Sequence, residues 1–293
     1  MPPLKPLAKL LALLALLTVT VWAPLALAQR AAPTNQTAPP ERQLTDQEIL
    51  AALTKEAESG NPQAMIALGL AYERFDIFSR DYGKALEWYK KAAAKNSAEG
   101  HYFVGLCYME GKGTRTDLKM AAQSFQKASQ IGLPQADYQL ALMFTQGLGV
   151  DKDLKKGLEF LVKSANANYG PALNELGLVH LVGQLGFKRD EAKAFELFNK
   201  SANQGFSDAM ENLGFIFREG LGRPVNNVQA LKWYLLARLH GGASPALQET
   251  INVVRDKLKP EEVAMAEKEV NAWRDNQAKA AQEPAAPRAI NVK

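Results

Sequence analysis

Apolar residues recur along this chain in paired segments, and the pair repeats every 36 to 37 residues from about Asn61 to Gly242. In the first copy Ala64, Leu68 and Ala71 fall at i, i+4 and i+7, the spacing of one face of an α-helix. A second segment with helical spacing follows a turn. The pattern therefore predicts two helices per copy. Because a unit of this length cannot bury its apolar face alone, the copies must stack on one another.

Small residues return at two fixed positions in every copy. One position holds Gly69, Gly105, Ala141, Gly177 and Gly214, and the other holds Ala85, Ala121, Gly157, Ala194 and Ala230. A small residue that recurs in register predicts a close crossing of two helices, where a larger side chain would not fit. Between the helices most copies carry a Gly-x-Gly turn, as at Gly147 and Gly149, and glycine is expected to end the first helix there.

The order of residues within a copy resembles the Sel1-like repeat. It reads Leu-Gly, an aromatic residue three positions on, Gly-x-Gly, an acidic residue such as Asp117, then Lys-Ala, Trp-Tyr and Lys-Ala-Ala. The stretches from Trp88 to Ala93 and from Leu231 to Ala237 follow this order well. Three features depart from it: Ala141, Gly157, and a first turn from Arg74 to Phe78 that lacks glycine.

The resemblance implies an all-α fold, a right-handed α/α solenoid of five helix-turn-helix repeats related to tetratricopeptide arrays. It further implies an adaptor or scaffold and implies no chemistry. The five repeats are predicted at about 61–96, 97–132, 133–169, 170–205 and 206–243.

The amino terminus has the parts of a signal peptide in their usual order. Lys5 and Lys9 precede an apolar run, and Ala26-Leu27-Ala28 before Gln29 has the form of a signal peptidase site. We therefore expect residues 1–28 to be cleaved and the mature protein to reside in the periplasm. The alternative is a retained anchor, because residues 10–28 are uncharged and long enough to span a bilayer.

The segments that flank the repeats divide into helices and tails. Residues 29–43, rich in Pro, Ala, Gln and Thr, are expected to be a disordered linker. Thr45 and Glu48 form a capping box, which predicts an amino-terminal capping helix over 44–60. Two helices over 244–275 are expected to cap the last repeat. Residues 276–293, with two prolines, are expected to be a disordered tail.

Charge and cysteine content narrow the range of functions. The chain has 35 basic and 31 acidic residues, and only Lys5 and Lys9 of these lie in the leader. The mature chain is therefore close to neutral, which gives no electrostatic attraction to nucleic acid. Cys107 is the single cysteine, so no intramolecular disulfide can form.

Short strings that suggest catalysis or metal binding have simpler explanations. Gly147-x-Gly149 lacks the Lys-Ser/Thr of a phosphate-binding loop. Ser124 and Lys127 form an S-x-x-K string, but a Lys-Thr-Gly element is missing, and Ser124 occupies the slot filled by tryptophan or leucine in other copies. The histidines fall in three different slots with no second ligand nearby: His101, His180 and His240. We predict no catalytic residue, no metal site and no cofactor.

A partner surface is predicted from positions that vary while the repeat register stays fixed. By analogy with tetratricopeptide helices, two slots of each first helix face the inner, concave side. They supply the predicted partner-binding residues Tyr102, Met109, Tyr138, Asn174, Glu211 and Arg218. The two tyrosines offer contact area with a polar handle, although they could instead fill gaps between repeats. An alternative partner site is an apolar knob at the first turn, formed by Phe75, Ile77 and Phe78.

These features predict a non-enzymatic periplasmic scaffold or regulator that binds a protein segment in its groove. The partner would be a periplasmic protein or the periplasmic part of a membrane protein, as in control of a sensor kinase or in envelope assembly. Nucleic acid is not expected, nor is direct membrane insertion after cleavage. Two alternatives are a modulator or enzyme of peptidoglycan or β-lactam metabolism and a subunit of a polysaccharide export complex.

Overall fold

The computed structural model describes residues 46–73, 80–241 and 244–282, and within these ranges it contains thirteen α-helices and no strand. The leader, the linker, the apolar knob at Phe75 to Phe78 and the last residues of the tail lie outside them. The helices are α1 Asp46–Glu58, α2 Pro62–Glu73, α3 Tyr82–Ala94, α4 Ala98–Glu110, α5 Leu118–Ile131, α6 Pro134–Gln146, α7 Leu154–Asn166, α8 Gly170–Val182, α9 Glu191–Ala202, α10 Ser207–Glu219, α11 Asn227–Gly241, α12 Pro245–Arg255 and α13 Pro260–Gln282.

The helices form an all-α solenoid, as the sequence predicts. Helices α2 to α11 make five helix-turn-helix pairs, and each helix packs mainly against its neighbours in the sequence. The apolar core is divided in the same way, into clusters that follow one another along the chain. This local packing explains why one short pattern can be repeated without a single central core.

Polar residues and glycines mark the ends of the helices. In the first four repeats an aspartate is the N-cap of the second helix, and in the fifth repeat Asn226 has this place. The Asp117 carboxylate accepts a hydrogen bond from the Met120 N–H at 2.9 Å, and Asp153 does the same for Lys156 at 3.0 Å. In repeats two to five the first helix ends at a glycine in the left-handed conformation, with φ of 73° at Gly111 and 75° at Gly147. The predicted role of these glycines is confirmed.

The close helix crossing predicted at the first small position is also present. A Cβ atom at Gly105 would lie 2.6 Å from the Phe125 ring of the second helix, and one at Gly214 would lie 2.7 Å from the Tyr234 ring. The partner of the glycine is thus an aromatic ring from the second helix of the same repeat. A side chain larger than hydrogen cannot be accommodated there without moving that ring.

The last helix extends beyond its predicted end. The sequence predicts a disordered tail from residue 276, but α13 continues to Gln282. Residues 277–282 are alanine, glutamine and lysine, which favour a helix, and Pro284 is the first residue that opposes its continuation. Helix α13 packs on α11, where Ala266 and Val270 are buried. None of the described helices is both long and apolar enough to cross a membrane.

Candidate functional site

A group of aromatic and polar side chains lies on helices α6, α8 and α10 and at the N-cap of α8. We call it the inner strip and define it as Tyr138, Tyr169, Asn174, Glu175, Asp208 and Asn212. The rings of Tyr138 and Tyr169 meet edge to face, with their centroids 5.6 Å apart. The Asn212 amide nitrogen donates a hydrogen bond of 2.9 Å to the Asn174 side-chain oxygen, which joins α8 to α10.

Each residue of the strip is positioned by the first helices or by the junction between repeats. Tyr138 lies in the first turns of α6, and Glu175 lies on α8 next to Asn174. Asp208 is in the first turn of α10, where a carboxylate is favoured by the helix dipole. Tyr169 is the N-cap residue of α8 and places its ring between two repeats.

The carboxylates dominate the electrostatics of the strip. Burial raises the pKa of Glu175 to about 7, and the nearby charge of Asp208 raises it further in the same direction. Burial also raises the pKa of Tyr138, with Glu175 as the next cause. Among the described residues no basic side chain makes an ion pair with Glu175 or Asp208. The strip thus contains a carboxyl group that is partly protonated near pH 7, close to Tyr138.

Two predicted partner-binding residues are more buried than a contact surface requires. Tyr102 is 9% exposed and packs against Phe103 and Phe125, with ring centroids 5.7 and 5.6 Å away. Asn174 is 2% exposed. A partner could touch only the edge of either side chain in this conformation. Asn174 belongs to the inner strip, whereas Tyr102 belongs to the apolar core of the second repeat.

The other predicted residues are more accessible. Tyr138 and Met109 are partly buried, and Met109 packs against the core of the second repeat. Arg218 makes a 2.7 Å ion pair with Glu219 and lies over the Phe215 ring. Glu211 is partly buried on α10. The apolar knob lies outside the described residues.

The variable slots of the repeat do not single out Tyr169, Glu175 or Asp208. Those slots lie on the first helix, and these three residues lie in neighbouring positions. The sequence does contain a signal, because the position of Glu175 holds Phe103 and Gln139 in earlier repeats, and an acid there is the exception. That the charges of Glu175 and Asp208 converge depends on how one repeat is placed on the next, which the pattern does not specify.

Ser124, the serine of the S-x-x-K sequence, has a structural role. Ser124 is buried and donates a 2.8 Å hydrogen bond to the Met120 carbonyl oxygen, so its hydroxyl proton is held within α5. It borders a cleft of about 430 Å³ that is also lined by His101 and Lys127. Cys107 is 2% exposed, and burial raises the pKa of its thiol to about 12. No group of three or more metal-ligating side chains occurs in the described part of the chain.

Comparison with known proteins gives both a family match and structural neighbours. The family model described as Sel1 repeat matches at residues 62–97, 98–133, 134–169, 170–206 and 207–241. No curated protein matches the chain by sequence.

Two solved structures illustrate the structural likeness. A Sel1 repeat protein from Oxalobacter formigenes is 26% identical with a TM-score of 0.65, and the match covers 71% of this chain and 59% of that one. The protective antigen c5321 of uropathogenic Escherichia coli, which displays an SLR fold, is 26% identical with a TM-score of 0.59, covering 80% of this chain and 49% of that one. This chain therefore spans about half to three fifths of those proteins.

Proposed function

Since this chain belongs to the Sel1 repeat family, we propose that it is a non-enzymatic periplasmic scaffold that holds a segment of a protein partner along the inner face of its solenoid. Sel1 repeat proteins generally mediate protein–protein interactions. The stacked first helices offer a surface that runs across several repeats, which suits an extended or helical segment better than a small molecule.

The inner strip is the observation that carries this proposal. Tyr138 and Tyr169 present partly buried rings, and Glu175 and Asp208 present carboxylates without an ion-pair partner in the described residues. Aromatic residues in a pocket are typical of binding hot spots. An acidic group without an ion-pair partner among the described residues is available for a basic group of a partner protein.

The periplasmic location rests on the leader. Its basic residues, apolar run and Ala-x-Ala site occur in the order of a signal peptide. A partner in that compartment would be a periplasmic protein or the exposed part of a membrane protein, such as a sensor kinase or an envelope assembly factor.

Quantitative capture from cell envelopes tests the function. The tagged full-length protein is compared with a Tyr102→Ala, Tyr138→Ala variant, and the proteins bound by each are measured by mass spectrometry. Loss of a hot-spot aromatic typically costs roughly 2 kcal/mol or more, which is about thirtyfold in affinity. We expect the double tyrosine variant to lose at least this much affinity for the partner. Tyr82→Ala, an aromatic truncation at the start of α3, should capture the partner as wild type does.

A second pair of substitutions tests the alternative site at the apolar knob. If the double tyrosine variant stays folded and captures its partner normally, while Phe75→Ser with Phe78→Ser abolishes capture, the groove is not the binding site. The partner would then be held at the first turn.

A further inference from the structure

The cleft beside Ser124 lies between the first two repeats. Its lining comes from α3 and α5, the second helices of these repeats, and from α4, the first helix of the second repeat. Val104 and Ser124 are buried and form its base, whereas Lys90 and Lys127 are exposed at its edge. No residue of the inner strip lines it.

We propose that this cleft binds an aromatic carboxylate, with the ring on Tyr108 and the carboxylate beside His101 and Lys127. The inference goes beyond the proposed function, because it assigns a second binding site in a different part of the solenoid. Three observations lead to it, and two of them come from comparing this junction between repeats with the next one.

The first argument is an aromatic ring that the third repeat has and the second repeat lacks. Phe160 of α7 stacks on Phe144 of α6, with ring centroids 5.6 Å apart and planes 8° from parallel. The same positions of the second repeat hold Ser124 and Tyr108, which both line the cleft. A ring placed over Tyr108 would restore the stacking that the third repeat makes within the chain. The remaining repeats also have a large apolar residue at the position of Ser124: Trp88, Leu197 and Trp233.

The second argument is a carboxylate that the third repeat has and the second repeat lacks. The Lys163 ammonium lies 2.8 Å from the carboxylate of the buried Asp137. The same positions of the second repeat hold Lys127 and His101. The lysine is thus kept while its acid is replaced by another basic residue. A carboxylate from outside the chain would complete the charge-assisted pair.

The third argument is the charge of the lining. Lys90, His101 and Lys127 line the cleft from three different helices, and no acidic residue of the described chain lines it. None of the three makes an ion pair within the described residues. Burial, and after it the charge of Lys127, lowers the pKa of His101 below its ordinary value. An anion in the cleft would offset this repulsion between basic groups.

The size of the cleft limits the ligand to a small one. Its volume is about 430 Å³, which lies in the range of small-molecule pockets, and part of its wall is apolar, formed by Ala93, Ala94 and Met120. A ring close to a carboxylate occurs in free aromatic acids and in a phenylalanine at the carboxyl terminus of a protein. The experiment therefore includes a probe for each source.

Titration of the purified protein with 3-phenylpropionate, followed by NMR of the histidine side chains, tests the site. We expect saturable binding with a dissociation constant on the order of 1 mM. The pKa of His101 should rise on binding, because a nearby carboxylate favours the imidazolium form. His180 and His240 do not line the cleft and should titrate as before. The uncharged 3-phenylpropionamide should bind roughly tenfold more weakly or worse.

A charge variant and its matched control test the cation. Lys127→Gln should weaken binding of 3-phenylpropionate roughly tenfold, since it removes the charge that the carboxylate meets. Lys155→Gln changes the net charge equally at an exposed position of α7 and should bind as wild type does. Circular dichroism of both variants confirms that they are folded.

Two further variants supply the missing groups from within the chain. Ser124→Phe copies Phe160 and should close the cleft, so that the acid no longer binds. His101→Asp copies Asp137 and should pair with Lys127 in place of the ligand. Both should unfold at the temperature of wild type or above it, because each copies a combination that the third repeat already contains.

A tetrapeptide of three alanines and a carboxy-terminal phenylalanine distinguishes the two sources. If it binds at least as tightly as 3-phenylpropionate, and its carboxy-terminal amide does not, the site receives a chain end. If only 3-phenylpropionate binds, the ligand is a free acid. Absence of saturable binding by both overturns the inference, as does equal binding of acid and amide or an unchanged affinity of Lys127→Gln. These failures leave the scaffold function standing, because partner capture by the inner strip is measured separately.

Discussion

At the residue scale, the buried acid Asp137 is held by two partners from other helices. Asp137 is 2% exposed, and the Lys163 ammonium lies 2.8 Å from its carboxylate. The same ammonium donates a 2.9 Å hydrogen bond to the Ser129 hydroxyl, which itself donates to Asp137. The following repeats place Leu173 and Met210 in the slot of Asp137, so the ion pair belongs to one junction only.

Breaking this pair from one side should be costly. Lys163→Met leaves Asp137 buried without its cation, and we expect a loss of about 2 kcal/mol in the free energy of unfolding, less than for a fully buried pair because Lys163 is half exposed. Adding Asp137→Leu, which introduces the leucine found at this position in the next repeat, should recover most of the lost stability. Urea denaturation of the single and double variants measures both effects, and a neutral Lys163→Met would show that the pair contributes nothing.

Glu175 should make stability depend on pH. Its carboxyl has a pKa of about 7 in the folded protein against an ordinary value of 4.5. Between these values the folded protein keeps a proton that the unfolded chain has lost, so stability falls as pH rises through this window. At pH 8 the free energy of unfolding of Glu175→Gln should therefore exceed that of wild type by on the order of 2 kcal/mol.

The difference in stability between Glu175→Gln and wild type should disappear below pH 5, where residue 175 becomes neutral in both proteins. Thermal unfolding at several pH values provides the measurement. Glu159→Gln, a change at an exposed acid on α7, is the control and should show no such trend. An equal difference at pH 5 and pH 8 would contradict the assignment.

At the element scale, the third repeat shows how the helix crossing tolerates change. It has Ala141 where the other repeats have glycine, and its second helix offers Leu161 where they offer tyrosine or phenylalanine. The added methyl group is thus matched by a smaller partner. At Gly157, another departure from the repeat pattern, space is also limiting, because a Cβ there would lie 2.5 Å from the Thr145 methyl carbon. The departure at Ala141 is a local exchange of volume.

The second repeat can be converted to the packing of the third. Gly105→Ala alone forces a methyl group against Phe125 and should cost roughly 1 to 3 kcal/mol. Phe125→Leu alone should also destabilise, because it leaves space over the glycine. The double variant copies Ala141 and Leu161, so its loss should be clearly smaller than the sum of the single losses. A double-mutant cycle measured by denaturation tests this coupling. Additive losses would show that the smaller leucine does not make room for the added methyl group.

At the scale of the whole molecule, each repeat depends on the next one for burial, and the ends need separate cover. Helix α1 packs on the first pair, while α12 and α13 pack on α11. His240 and Trp273 meet edge to face with centroids 5.3 Å apart and join α11 to α13. An uncovered terminal repeat would expose apolar surface, which explains why helices outside the repeats adjoin both ends.

The compartment of the whole molecule also remains a prediction. We expect the mature amino terminus to be Gln29, because the leader places its cleavage site directly before that residue. Amino-terminal sequencing of protein purified from the periplasmic fraction tests this. A chain that still begins near Met1 and sediments with the inner membrane would favour the retained anchor.

The sequence by itself determined the repeat, its two helices, the glycine turns and the caps. Each copy carries these signals within its own 36 to 37 residues, and helix periodicity, Asp117-type caps and left-handed glycines act over a few neighbouring positions. Only the tertiary structure decided that the Phe125 ring covers Gly105, that Tyr102 is buried, and that Asn212 donates a hydrogen bond to Asn174. Those contacts join residues from different helices or repeats, so they depend on how one repeat is rotated onto the next and on the side-chain directions there. The local sequence pattern specifies neither this rotation nor these side-chain directions.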